Sequence, residues 1–132
     1  MDEPRLGCCL FSREIDTVDF QEIQVERQEG YAVVRLNRPD LRNALTLQLR
    51  KELGRAFDQL SNDDTVRALV VTGTGECFCA GGDLSSLSPQ PAAYAGRARM
   101  RSIQSWFYRY INMEKPVVCG LNGTVAGGGI GL

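Results

Sequence analysis

The sequence predicts an α/β fold. Three observations carry that expectation. The elements run hairpin, helix, strand, loop, helix, strand, an order that places helices against a sheet. The apolar period switches from two to 3.6 at Thr46. Two glycine-rich stretches each follow an apolar run: Phe78-Cys79-Ala80-Gly81-Gly82-Asp83-Leu84 after Ala68 to Thr72, and Ala126-Gly127-Gly128-Gly129-Ile130-Gly131-Leu132 after Pro116 to Leu121.

Residues 1 to about 20 are charged and turn-rich, and predict a poorly ordered leader. Within it, Cys8-Cys9-Leu10-Phe11 is a small apolar patch that suits a docking contact, or no role at all, better than a lipid-modified site. Glu22 to Arg27 alternates polar and apolar, the pattern of a half-buried strand. Glu29-Gly30 turns the chain, and Tyr31 to Leu36 completes a hairpin. Pro39 then ends the pairing, because proline has no N–H for a ladder. Leu49, Leu53, Ala56, Phe57 and Leu60 recur at helical spacing behind Thr46, a good N-cap residue. Arg50, Lys51, Glu52 and Arg55 fall outside that stripe and are expected in solvent. Ser61-Asn62-Asp63-Asp64 ends the helix, and Val66 to Thr72 is the next strand. Ser85 to Pro91 reads as a loop. A long helix follows from Ala92 to about Met113, with Ile103, Trp106, Phe107, Tyr110 and Ile111 as its packing face. Its arginines 97, 99, 101 and 109 read as solvated charges rather than phosphate ligands. Glu114-Lys115-Pro116 stops it, and a last strand leads to the second glycine cluster.

Composition narrows the function. The 132 residues make one domain or a piece of a larger one. A net charge of −1 does not suggest nucleic acid or an anionic membrane as partner. No apolar run is long enough to span a bilayer, and the acidic start is unlike a transit or signal peptide. The five cysteines are an odd number with no CxxC spacing, and there is no histidine. A metal site is therefore not expected, and reduced thiols in the cytoplasm are, with a mitochondrial or peroxisomal location as the alternative.

Each glycine stretch alone reads most simply as a turn needing positive φ or close packing. Nucleotide-binding spacings fail. A GxGxxG counted from Gly127 and Gly129 would need its third glycine at Leu132, and GxxxxGK[ST] is absent. Together the stretches say more, because two strand ends that open into glycine turns can aim two backbone N–H groups at one point, as an oxyanion requires. Asp83 follows Gly82 directly, and its carboxylate suits fixing the loop through backbone N–H groups better than chemistry.

Three motifs in order resemble the enoyl-CoA hydratase/isomerase (crotonase) superfamily: Asn37-Arg38-Pro39 with Arg42-Asn43-Ala44-Leu45, then Phe78 to Leu84, then Pro116 to Gly129. The resemblance covers roughly residues 22 to 132. It implies a crotonase-like spiral of ββα turns, represented by its N-terminal portion over 21–132 and cut before the C-terminal helical part. It implies an acyl-CoA thioester as substrate, with coenzyme A entering only as part of it and no separate cofactor. Gly82 and Gly128 would be the catalytic positions, their N–H groups holding the thioester oxygen as it becomes an enolate. Arg42, Ala44, Ala80, Gly82, Asp83, Leu84 and Gly128 would line the substrate site. Assembly as a homotrimer or hexamer is implied for the full-length protein. One departure stands out: where hydratases of the family carry a glutamate after the triple glycine, this chain has Gly131. Glu76 and Glu114, the nearest acids in sequence, read as surface charges.

The leading reading is thus an acyl-CoA-binding enzyme portion, with isomerisation or another enolate reaction favoured over two-glutamate hydration. The alternative is a catalytically inactive isoform or pseudoenzyme module that binds acyl-CoA or a partner protein. As an isolated half-fold it is expected to expose a Trp106/Phe107 face and be marginal or self-associating. A generic α/β domain whose glycines serve only turns is the third reading.

Overall fold

The structure is a computed structural model that describes residues 14–15, 20–84 and 93–132. The Cys8–Phe11 patch, most of the expected leader and the loop expected over 85–91 lie outside the described residues. The hairpin forms from β2 (Ile23–Gln28) and β3 (Tyr31–Leu36), antiparallel, with Gln28 opposite Tyr31. Two residues of the expected leader, β1 (Glu14–Ile15), pair with Arg27 and Glu26 on the hairpin's outer side. Helix α1 (Leu47–Ser61) carries the chain over the sheet to β4 (Ala68–Gly73), which lies parallel to β3. Helix α2 (Ala93–Ile111) precedes β6 (Val117–Gly120), parallel to β4. The sheet order is β1-β2-β3-β4-β6. Both parallel pairings need a crossover, and the two helices supply them. A second, two-stranded parallel sheet pairs β5 (Cys77–Cys79) with β7 (Thr124–Val125).

The core follows from alternation on the strands and from the stripe on α1. Val25, Val34, Leu36, Leu69 and Val71 belong to one buried cluster with Leu49, Leu53, Ala56, Phe57 and Leu60. Thr46 caps α1, its hydroxyl accepting from the Leu49 N–H at 2.9 Å. Helix α2 packs on α1 where Gly54 leaves room: a Cβ there would lie 3.4 Å from the Trp106 Cβ. That close approach buries Trp106 to 5% exposure, so the expected exposed Trp106/Phe107 face does not occur. Phe107 and Tyr110 are half-buried beside it, whereas Ile111 faces solvent.

Glu52 departs from expectation too. It is fully buried rather than solvated. Its carboxylate accepts from three consecutive backbone N–H groups, those of Gln21, Glu22 and Ile23, at 3.0, 2.8 and 3.2 Å. The Gln48 side chain donates to it at 2.7 Å. A buried carboxylate is tolerable only with donors of this number and geometry. Here they come from the entry to β2, so a helix charge fastens the helix to the first strand of the hairpin.

Replacing Glu52 by alanine leaves those main-chain donors buried without an acceptor. We expect a loss of about 3 kcal/mol, read as a lowered urea midpoint at unchanged slope. A second expectation concerns alkali. Burial, followed by the neighbouring Cys119 thiol, pushes the Tyr110 hydroxyl from 10 up to about 12. The folded state holds this proton more tightly than the unfolded chain. Its contribution is therefore full below pH 10 and lost as the pH rises toward 12. Urea midpoints should fall across that window, and fall less in Tyr110→Phe.

Candidate functional site

The site begins with the loop between β3 and α1. A short 3-10 turn at Pro39–Leu41 ends in two successive left-handed residues, Arg42 (φ 50°) and Asn43 (φ 54°). Asparagine tolerates this region, and the arginine is held in it by its N–H bond to the Pro39 carbonyl at 3.1 Å. The reversal sends the Asn43 side chain inward, where it is fully buried. Its Oδ1 accepts from the Arg38 N–H at 2.8 Å, and its Nδ2 donates to the Thr74 and Cys77 carbonyls at 3.0 and 2.7 Å. Asn122 reaches the same turn: its Oδ1 accepts from the Gly73 N–H at 3.0 Å and its Nδ2 donates to the Gly75 carbonyl at 2.8 Å. The 73–77 turn is thus bonded by two side-chain amides. Gly123 lets its own loop come this close, since a Cβ there would sit 2.0 Å from the Glu76 carbonyl oxygen.

With that turn fixed, β5 and the residues after it thread between two segments. The Ala80 N–H donates to the Arg42 carbonyl at 3.0 Å, and the Leu45 N–H to the Gly81 carbonyl at 2.7 Å. The Ala126 N–H donates to the Cys79 carbonyl at 2.9 Å. The two glycine stretches, about 45 residues apart, therefore touch. Gly81 has φ 92°, and a Cβ there would lie 2.8 Å from the Ala126 carbonyl oxygen and 3.1 Å from the Gly128 nitrogen. A Cβ on Gly128 would lie 4.0 Å from the Gly82 nitrogen. The chain around Gly128 winds as a 3-10 turn, Gly127–Gly131. Gly128 occupies its first turn, where an N–H has no carbonyl upstream in register. Among the described residues, neither the Gly82 nor the Gly128 N–H donates to a backbone carbonyl.

Beside the contact lies a cleft of about 710 Å³ lined by Pro39, Arg42, Gly75, Glu76, Cys77, Ala80, Thr124 and Ala126. It brings together Arg42 and Ala80 of the residues singled out from sequence. Ala44, Gly82, Asp83, Leu84 and Gly128 do not line it. Ala44 and Asp83 are half-buried, Gly82 and Gly128 are exposed, and Leu84 is 78% exposed. Thr124 and Ala126 lie within the third motif but are not among the site residues expected from sequence; their signal is a position just ahead of the triple glycine.

The chemistry available is mainly that of the main chain. Burial pushes the Cys79 thiol up from its ordinary value, which keeps it neutral and a poor nucleophile. Glu76 and Glu114 are exposed. Gly131 packs by the Phe107 ring, a Cβ there lying 3.4 Å from its Cε2. Among the described residues no three His, Cys, Asp or Glu side chains group as metal ligands, and no helix is long and apolar enough to cross a membrane.

Comparison with known proteins gives the family and the fold. Residues 26–132 match the family model described as enoyl-CoA hydratase/isomerase. A 4-chlorobenzoyl coenzyme A dehalogenase from an Arthrobacter species is 37% identical over 83% of this chain and 41% of its own length. A 1,2-epoxyphenylacetyl-CoA isomerase from Escherichia coli is 34% identical over 80% of this chain and 41% of its own. A crystal structure of an enoyl-CoA hydratase/carnithine racemase from Magnetospirillum magneticum superposes with a TM-score of 0.78 at 29% identity, over 83% of this chain and 42% of that one. The chain spans about two fifths of the length of the curated relatives it matches.

The contact between the glycine stretches is directly testable. Gly81→Ala puts a side chain on a left-handed residue and against the Ala126 carbonyl. We expect a loss of roughly 1–3 kcal/mol in stability, measured by thermal denaturation.

Proposed function

Because the chain belongs to the enoyl-CoA hydratase/isomerase family, we propose that it binds an acyl-CoA thioester and stabilises that thioester's enolate with the backbone N–H groups of Gly82 and Gly128. One observation carries the reading. Two glycine turns far apart in sequence meet, and among the described residues neither the Gly82 nor the Gly128 N–H donates to a backbone carbonyl. Donors already fixed in place cost no reorganisation when negative charge develops on the thioester oxygen. The cleft beside them, with Arg42 and Ala80 in its wall, is where this reading seats the coenzyme A moiety. Ala44, Asp83 and Leu84 complete the substrate site, with Asp83 as the loop-fixing carboxylate. For the full-length protein the reading includes self-assembly as a trimer or hexamer, supported by the exposed Val118, Leu121 and Ile130. It places the protein in the cytoplasm, supported by the free thiols of Cys77, Cys79 and Cys119.

Among enolate reactions, isomerisation is favoured over hydration. Gly131 stands where the resemblance puts the hydratase glutamate, and a glycine cannot help to activate water. The same observation favours a second reading, an acyl-CoA-binding module without turnover.

Calorimetric titration with free CoA and with several acyl-CoA esters tests the proposal. We expect saturable heats, with thioesters bound more tightly than free CoA. Gly128→Pro deletes one donor and should weaken thioester binding by about tenfold while leaving free CoA little changed. Equal affinity of the unaltered chain and Gly128→Pro for thioesters would remove the oxyanion role.

A further inference from the structure

We propose that Arg50 places a fixed positive charge beside the Gly82/Gly128 donor pair and makes that spot favour an anionic oxygen over a neutral carbonyl. The inference rests on the acyl-CoA reading above and adds a side chain to a site otherwise made of main chain. Arg50 lies in the first turn of α1, where its N–H donates to the Thr46 carbonyl at 3.1 Å. From sequence it belongs to the polar side of the helix. The fold instead lays it against the first glycine stretch: a Cβ on Gly82 would lie 3.6 Å from the Arg50 Nη2. The residue is half-buried. Its guanidinium also lies near enough to Cys79, in the same stretch, to act on that thiol, as the smallest of four influences. Burial raises the Cys79 thiol, and the Arg50 guanidinium is among the influences that oppose the rise.

The physical consequence is differential. A neutral thioester carbonyl gains little from a nearby cation. An enolate oxygen, carrying most of a unit charge, gains a great deal in a partly dehydrated site. The guanidinium keeps its proton throughout, so Arg50 exchanges none with substrate and takes no part in bond making. Asp83, next along the chain from Gly82, brings a carboxylate to the same turn. The proposal therefore requires the Arg50 charge to dominate at the donor pair.

Two coenzyme A thioethers of similar size separate the possibilities. S-carboxymethyl-CoA presents a carboxylate where the thioester oxygen would sit, and S-(2-oxopropyl)-CoA presents a neutral ketone. Each is titrated into the unaltered chain, Arg50→Met and Arg50→Lys. The readout is the ratio of the two affinities, which cancels the shared charge of the CoA phosphates. We expect Arg50→Met to weaken the carboxylate ligand by about tenfold and the ketone by less than about twofold, with Arg50→Lys close to the unaltered chain. If Arg50→Met does not fold, Arg50→Gln makes the same comparison with a polar side chain. A ratio unchanged by loss of the charge, with both ligands still bound, overturns the proposal and leaves the acyl-CoA reading standing. Failure of both ligands to bind the unaltered chain overturns both.

Discussion

The site depends on one constraint: the turn between β4 and β5 is held by the amides of Asn43 and Asn122. Each asparagine presents an acceptor and a donor, and each uses both on the main chain, Asn43 reaching back to Arg38 as well as across to the turn. A turn at the end of a parallel strand has backbone groups that no neighbouring strand can satisfy. Side-chain amides meet that need and fix position as well, because their two bonds define a direction. From this turn the chain enters β5, and from β5 it enters Gly81 and Gly82. An error in the turn would move the Gly82 donor of the proposed site.

A second tie, at the opposite end of α1's role, is made by Glu52. Its carboxylate collects three successive N–H groups at the start of the hairpin, while the apolar face of the same helix covers the sheet. Helix and hairpin are thereby joined by both non-directional burial and directional hydrogen bonds. The first supplies most of the driving force, and the second selects one docking among the several that a greasy stripe would allow. Thr46, at the start of that helix, is one residue from Leu45, whose N–H holds the Gly81 carbonyl. Placing the helix thus also places the glycine turn.

A site built from main-chain donors has particular properties. Its geometry is set by the fold, so most side-chain substitutions nearby change what is bound more readily than whether negative charge is stabilised. The relatives named above act on different acyl-CoA compounds, as a dehalogenase and an isomerase. In this chain the surroundings of the glycine pair include Gly131, packed by the Phe107 ring, and the partly buried Arg50.

The amino-acid sequence by itself determined the period of each element, the breaks between them and the two glycine stretches. Those properties are local: a stripe at 3.6-residue spacing, a proline without an N–H, a turn that needs positive φ. The hairpin Tyr31–Leu36 and the helix capped by Thr46 were legible for that reason. Tertiary structure alone decided which charges lie inside. Glu52 and Arg50 look alike as helix-surface residues, yet one is fully buried against backbone donors and the other lies beside Gly82. The meeting of Gly81 with Gly128 belongs to the same class. Such contacts join residues tens of positions apart, and pairwise packing of elements, which no local pattern encodes, is what brings them into reach.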